Sequence, residues 1–146
     1  MNSPFQSMKT LLTTAVLSVA LWGCTAPTVV EAEEVPQRHR ALTDQYAVFD
    51  NASELAKHLY LEQVTRDPDA VPKVVQFNLR NSSDAPYDFR YRCRWLDEHG
   101  IQIDSSTDVW QTRTIHGRER MNLVCVAPSP AAVDYRLVLR PWERRK

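Results

Sequence analysis

Glycine is scarce in this chain. Its 146 residues contain only three glycines, Gly23, Gly100 and Gly117. The phosphate-binding loops GxGxxG and GxxxxGK[ST] need glycines close together, because the backbone must approach the phosphate. No such loop can be written from these three positions, so the usual nucleotide-binding sites are excluded.

An excess of charge of either sign is also missing. The chain has 18 basic and 18 acidic residues, and removal of residues 1–23 would leave 17 against 18. Nucleic-acid binding asks for a clustered basic excess, so we predict no nucleic-acid partner. A basic group near the C-terminus is interpreted as a solvated end, with attraction to anionic lipid as the alternative. Its members are Arg140, Arg144, Arg145 and Lys146.

No apolar run is long enough to cross a membrane. The longest one, residues 11–22, falls short of the roughly 20 residues that a spanning helix needs. Lys9 precedes this run and Gly23-Cys24 ends it, which is the pattern of a bacterial lipoprotein signal peptide. We therefore predict cleavage after Gly23 and lipidation of Cys24.

The residue after the lipidated cysteine indicates which of the two membranes holds the protein. Thr25 stands where an inner-membrane retention signal would have Asp, which favours the outer membrane. The predicted location is thus the periplasmic face of the outer membrane. Cys24 would hold the protein there through outer-membrane lipid, since several acyl chains give stable anchoring.

Residues 24–42 have the composition of a tether. They contain two prolines, the acidic cluster of Glu31, Glu33 and Glu34, and few large apolar side chains. Such a segment cannot bury enough surface to offset the entropy of ordering. We expect it to hold one folded domain, residues 43–146, away from the membrane.

Alternation of apolar and charged residues marks the folded domain. It is clearest over residues 87–95, which predicts a half-buried antiparallel strand. Residues 53–58 predict one or two helical turns, capped by Asn51 or Ser53. Further predicted strands cover residues 45–49, 59–66, 74–80, 101–104, 110–115, 120–126 and 135–140.

The number and spacing of these segments indicate the fold class. About seven short strands separated by turn residues favour an all-β fold. The predicted architecture is an immunoglobulin-like antiparallel β-sandwich, with a barrel as the alternative.

Two cysteines fall on the core side of their strands. Cys93 and Cys125 would meet if the strands face each other, and the periplasm permits disulfides. The alternative is two buried thiols, because sequence alone does not establish that the Cα atoms approach closely enough.

Arginines line the other side of the clearest strand. Arg90, Arg92 and Arg94 allow two interpretations. They form a solvated sheet face whose charges pair with acids on neighbouring strands, or they dock an acidic partner surface or the anionic cell wall. We expect Trp95 and Trp110 in or near the core and Trp142 at least partly exposed.

The histidines and the remaining candidate acids do not form a recognisable catalytic or metal-binding motif. The histidines do not have metal-ligand spacing, and the acids of residues 97–104 are typical turn residues. We therefore predict no metal site, no cofactor and no enzymatic activity. The residues considered are His39, His58, His99, His116, Asp97, Glu98 and Asp104.

A family resemblance covers about residues 45–140. Residues 91–97 with Gly100, preceded by residues 79–83, resemble the YcfL-like family of small periplasmic lipoproteins. Trp110, residues 127–128 and residues 135–137 also look like its pattern, whereas Cys93 and Cys125 do not belong to it.

This resemblance implies an immunoglobulin-like sandwich and an outer-membrane lipoprotein, but no established activity. Members of the YcfL-like family are often encoded near a lipoprotein activator of a peptidoglycan synthase, so the resemblance implies a role in cell-envelope assembly by association.

Two functions follow as expectations. The first is a lipid-anchored, non-catalytic module that docks an envelope protein or peptidoglycan through a strand edge or its arginine-bearing face. The alternative is a periplasmic binding protein for a small apolar or glycan ligand. Its site would lie between the sheets or at loop ends near Asp97, His99 and His116.

Overall fold

The structure is a computed structural model that describes residues 34–106 and 108–142. Within these residues the chain is mostly β, with seven strands and two short helices. The elements are α1 (Gln37–Tyr46), β1 (Ala47–Phe49), α2 (Ser53–His58), β2 (Leu59–Asp67), β3 (Val74–Asn81), β4 (Tyr87–Leu96), β5 (Gln111–Ile115), β6 (Arg120–Val126) and β7 (Asp134–Pro141).

The strands form two sheets. One has the order β2-β3-β6 and the other the order β1-β7-β4-β5. Their neighbours pair antiparallel, apart from the short edge strand β1, which runs parallel to β7. The orders β2-β3-β6 and β5-β4-β7 correspond to strands A-B-E and C′-C-F of an immunoglobulin-like sandwich. The predicted all-β sandwich is confirmed.

One side of each main strand is buried between the sheets. On β3, Val75, Phe77 and Leu79 are buried, while the residues between them are partly exposed. The ring of Tyr135 on β7 meets the ring of Phe77 edge-on, with their centroids 5.8 Å apart. Trp95 lies 5.7 Å from the same tyrosine ring. Burial raises the pKa of Tyr135.

A disulfide joins the two sheets. It links Cys93 on β4 to Cys125 on β6, with their Cα atoms 5.9 Å apart. Of the two alternatives for these core-side cysteines, a disulfide or two buried thiols, the structure has the disulfide. A bridge closing a loop of this length contributes about 3 to 4 kcal/mol in the chain-entropy model.

Two ends of the sandwich differ in their connections. The end that holds residues 82–86 and 116–119 has short turns, and we call it the turn end. The opposite end holds residues 68–73, 97–110 and 127–133, and we call it the loop end.

Asn81 ties the turn end together. Its side chain is fully buried. Its Nδ2 donates to the carbonyls of Ala85 and His116 at 2.8 and 2.9 Å. Its Oδ1 accepts from the backbone N–H and the hydroxyl of Ser83, both at 2.9 Å. One side chain thus satisfies polar groups of both turns.

Gly117 and the ion pair beside it complete the turn end. A Cβ at Gly117 would collide with the backbone carbonyl of Asp84, so only glycine fits there. The Nε of Arg118 donates to Asp84 at 2.8 Å. This hydrogen bond, together with the positive charge, holds the pKa of Asp84 below its ordinary value.

The folded body begins earlier than residue 43. Val35 is buried. The hydroxyl of Thr43 accepts the backbone N–H of Leu61 at 2.8 Å, and the ring of His39 stacks on Tyr60 at 5.4 Å. These contacts order a helix where the sequence predicted the end of the tether. Because this helix continues to Tyr46, only residues 47–49 of the predicted strand 45–49 are extended.

The predicted strand over residues 101–104 is wrong. A single bridge joins Leu96 to Gln102. The carboxylate of Asp97 accepts the backbone N–H groups of His99 and Ile101, and Gly100 has a positive φ of 77°. These bonds curl the chain into a turn before a ladder can extend.

The predicted caps of α2 are also wrong. The helix covers the predicted residues 53–58, but its N-cap is Ala52, which makes no side-chain hydrogen bond. Asn51 instead adopts a positive φ of 48°, and Ser53 is the first helical residue.

Candidate functional site

The predicted anchor lies outside the described residues. Gly23 and Cys24, and the basic residues 144–146, precede or follow them. Among residues 34–106 and 108–142, no helix is long and apolar enough to cross a membrane.

Five arginines occupy the outer side of the four-stranded sheet. β4 presents Arg90, Arg92 and Arg94, because its alternate residues Phe89, Tyr91 and Trp95 point into the core. In the register of β4 and β7, Arg140 lies directly opposite Arg90, and Arg136 directly opposite Arg94. We call these five side chains the arginine face: Arg90, Arg92, Arg94, Arg136 and Arg140.

A tryptophan holds two of these guanidiniums. The Cζ of Arg140 lies 3.8 Å from the ring centroid of Trp110, and the Cζ of Arg92 lies 4.7 Å from it. Trp110 is therefore half-buried on the outer sheet face and does not belong to the core, contrary to prediction. It is the last residue of the loop 97–110, directly before β5, and lies on the outward side of the sheet. Arg140 is likewise part of β7 and does not belong to a solvated end.

The other two tryptophans lie as predicted. Trp95 is buried in the core. Trp142 is partly exposed, and the Cζ of Arg90 lies 5.8 Å from its ring centroid. Cation–π contacts with aromatic rings thus involve three guanidiniums of the arginine face.

Acidic residues neutralise only part of this face. Arg92 pairs with Asp108 at 3.5 Å, and Arg136 pairs with Asp134 at 2.9 Å. Within the described residues, Arg90 and Arg94 form no ion pair. The Nε atoms of Arg90, Arg92 and Arg94 are buried without a hydrogen-bond partner in that part of the chain.

This arrangement carries an electrostatic cost. Like charges directly opposite one another on a sheet face are destabilising, and the arginine face contains two such pairs. The interpretation as a solvated face with paired acids therefore accounts for Arg92 and Arg136 alone. A surface that concentrates unneutralised guanidiniums is suited to binding carboxylates or phosphates.

Sequence reasoning missed the β7 half of the face. Arg136 and Arg140 alternate with the buried residues Leu137 and Leu139, which is a usable signal. Their position opposite β4 follows from strand order, and strand order cannot be obtained from alternation.

A groove of about 410 Å³ lies beside the disulfide. Trp95, Ile103 and Val109 contribute to one part of its wall, and the edge strand β6 to another. Val124 and Val126 on that strand are each 48% exposed. The lining is mixed, since Ser105, Asp108 and Gln111 stand among its apolar side chains.

The residues considered for catalysis do not assemble. Asp97 and His99 lie at the loop end, whereas His116 lies at the turn end. The Oδ1 of Asp97 is used by backbone N–H groups of its own turn. No group of three His, Cys, Asp or Glu residues in the described ranges is placed to hold a metal ion.

The remaining residues in this group also have local roles. Glu98 pairs with His99 at 3.5 Å, and Gln102 donates to Asp104 at 3.3 Å. The ring of His58 stacks on Tyr87 with centroids 5.7 Å apart.

Comparison with known proteins identifies the family. Residues 45–141 match the model of a family described as a protein of unknown function, DUF1425. The chain belongs to the DUF1425 family. Among curated proteins, none matches it.

Two solved structures resemble this DUF1425 protein in fold. One is a DUF1425 family member from Shewanella sp. pv-4, with 20% identity and a TM-score of 0.53, covering 60% of this chain and 81% of that one. The other is Campylobacter jejuni cj0090, with 22% identity and a TM-score of 0.54, covering 67% of this chain and 99% of that one.

Proposed function

We propose that this DUF1425 protein is a lipid-anchored, non-catalytic interaction module on the periplasmic face of the outer membrane. Its arginine face docks an acidic surface of another envelope protein. The observation that carries the proposal is the pair of direct Arg–Arg oppositions on one sheet face. The YcfL-like resemblance and the lipoprotein signal-peptide pattern that ends at Cys24 support the location.

The cost of the arginine face is the main argument. Opposed like charges lower stability, and an acidic partner would neutralise them on binding. Patterned complementary charge of this kind favours the correct partner over others and speeds encounter. Docking uses the charge without requiring a catalytic group.

Site-specific photo-crosslinking in envelopes tests the docking surface. A photoreactive residue replaces Thr112, which is exposed on the outer side of β5 opposite Arg90. A matched control replaces Asn122, which is exposed on β6 of the other sheet. We expect an adduct from position 112 that disappears in the Arg90→Glu/Arg94→Glu double variant. Equal adducts from both positions, or none from position 112, would contradict the proposal.

The anchor has a separate test. The Cys24→Ser variant should lack lipid and should not be cleaved, because lipoprotein signal peptidase acts after the cysteine is modified. Mass spectrometry of the N-terminal peptide from native membranes measures both. An unmodified Cys24 in the wild-type protein would exclude lipid anchoring.

A second candidate function is binding of a small apolar ligand in the groove beside the disulfide. Its volume of about 410 Å³ falls within the range of small-molecule sites. A fluorescent apolar probe, anilinonaphthalene sulfonate, should bind the wild type and lose binding in Val109→Lys. Equal fluorescence with both proteins would exclude this candidate.

A further inference from the structure

The spacing of the arginines matches that of an extended chain. Alternate residues of a strand lie about 6.6 to 6.8 Å apart, so Arg90, Arg92 and Arg94 present guanidiniums at that repeat along β4. An extended peptide with acidic residues at alternate positions has the same repeat. Its carboxylates can therefore reach Arg90 and Arg94 without strain in either chain, while the carboxylate between them lies at Arg92, which Asp108 also contacts.

The stacked guanidiniums are prepared for carboxylates. The Cζ atoms of Arg92 and Arg140 lie over the ring of Trp110. A guanidinium carries five N–H donors, and contact of its carbon with an aromatic ring leaves donors available to an anion. A carboxylate accepts two of these N–H groups side by side. Stacking also reduces the rotamer freedom that would otherwise be lost on binding.

Acidic residues among the arginines argue against a continuous anionic surface, such as a membrane, as the partner. Asp88, Asp108 and Asp134 lie among the five arginines, which leaves an excess of two positive charges among the described residues. A membrane would meet all three aspartates at once. Discrete carboxylates can instead address Arg90 and Arg94, which have no acid partner there.

The face also lacks the apolar surface that membrane insertion uses. Among the described residues of its four strands, Val48 is the one exposed large apolar side chain. Val138, at the centre of the face, is buried. Peripheral membrane binding combines charge with buried apolar area, and the second component is missing here.

We infer that the partner presents an extended segment with carboxylates on alternate residues, which lies along β4 of the arginine face. This inference rests on the proposed function, since it names the chemistry of the partner. The charges of the segment would complement Arg90 and Arg94 first, with Arg140 beside them.

Direct binding of designed peptides tests this inference. The probe is a ten-residue peptide of alternating Thr and Glu, and the protein is the full chain in detergent. One control replaces every Glu with Gln, and another gathers the same Glu residues into one block. We expect the alternating peptide to bind about tenfold more tightly than either control, and its binding to weaken as salt rises.

Matched protein variants localise the binding. Arg90→Glu/Arg94→Glu should weaken binding of the alternating peptide at least about tenfold. Arg113→Glu is the control, because Arg113 lies on the neighbouring strand β5 opposite the core residue Phe89 and points away from the face. It should bind the alternating peptide as the wild type does. Equal losses in the double variant and in Arg113→Glu would overturn the inference.

The remaining outcomes separate this inference from the proposed function. If block and alternating peptides bind equally, or if vesicles containing phosphatidylglycerol or purified peptidoglycan bind the face more tightly, the extended acidic segment is wrong. An adduct at position 112 that still requires Arg90 and Arg94 would then leave the proposed protein docking intact. If the wild-type protein neither binds the alternating peptide nor gives an adduct at position 112, both the inference and the proposed function are overturned.

Discussion

The turn end and the arginine face differ in whether their buried polar atoms are hydrogen-bonded. At the turn end, both polar atoms of the Asn81 side chain are hydrogen-bonded, to two carbonyls and to Ser83. On the arginine face, three Nε atoms are buried without a partner in the described chain. One region satisfies its polar groups internally, and the other leaves them unsatisfied.

The two regions also differ in how their charged side chains are paired. Arg118 and Asp84 at the turn end form an ion pair at 2.8 Å, whereas Arg90 faces Arg140 across two paired strands. Unsatisfied polar groups and opposed like charges each lower stability. A region that collects several such costs is a candidate for binding, because functional sites are where they concentrate.

The disulfide joins the two sheets that form the core, so its loss should have the largest effect. Replacement of Cys93 and Cys125 by Ala should lower the free energy of unfolding by about 3 to 4 kcal/mol without abolishing the fold. Thermal unfolding of the soluble domain, with and without reductant, measures this. Two free thiols in the denatured, unreduced wild type would show that the bridge is absent.

Loss of Asn81 should break the turn end. Asn81→Ala removes a fully buried side chain that donates to the carbonyls of Ala85 and His116 and accepts from Ser83, which costs about 2 to 3 kcal/mol. The control is Asn78→Ala, since Asn78 is partly exposed and accepts from Gln76 at 3.0 Å. Chemical denaturation compares the two. Equal destabilisation would contradict a special role for the turn end.

Charge reversal on the arginine face should have a smaller effect of the opposite sign. Arg90→Glu replaces a like-charge opposition with an ion pair to Arg140, which should raise the free energy of unfolding by about 0.2 to 1 kcal/mol. Arg113→Glu serves as control, because Arg113 has no opposed arginine on β4. Thermal unfolding at low salt measures the difference, which should shrink at high salt.

The smallest predicted effect is a pH dependence at the turn end. Arg118 lowers the pKa of Asp84, so this pair stabilises the fold above the ordinary value of 3.8 and loses that effect as the pH falls through the lower folded value. The wild type should therefore exceed Arg118→Gln in unfolding midpoint at neutral pH, and the difference should disappear in acid. A constant difference across this range would contradict the assignment.

Local alternation predicted most of the strands. The patterns of residues 74–80, 87–95 and 120–126 each become one strand, because a half-buried strand imposes a period of two on its own residues. The same parity placed Cys93 and Cys125 on the core side. Features that depend on one strand alone were therefore accessible from the sequence.

Features that depend on tertiary contacts could not be predicted from the sequence. Helix α1 has no side-chain cap and is held by Thr43 and His39 against β2. The turn at Asp97 forms through side-chain bonds that interrupt an otherwise β-like segment. The β7 half of the arginine face required the register of β7 against β4.

The central claim is that the arginine face is kept for binding at the expense of stability. Parallel measurement of thermal unfolding and partner cross-linking in Arg90→Glu tests it most directly. We predict a protein that unfolds at the same or a higher temperature than the wild type and gives a weaker adduct at position 112. A variant that unfolds several degrees lower, or that cross-links as the wild type does, would contradict the claim.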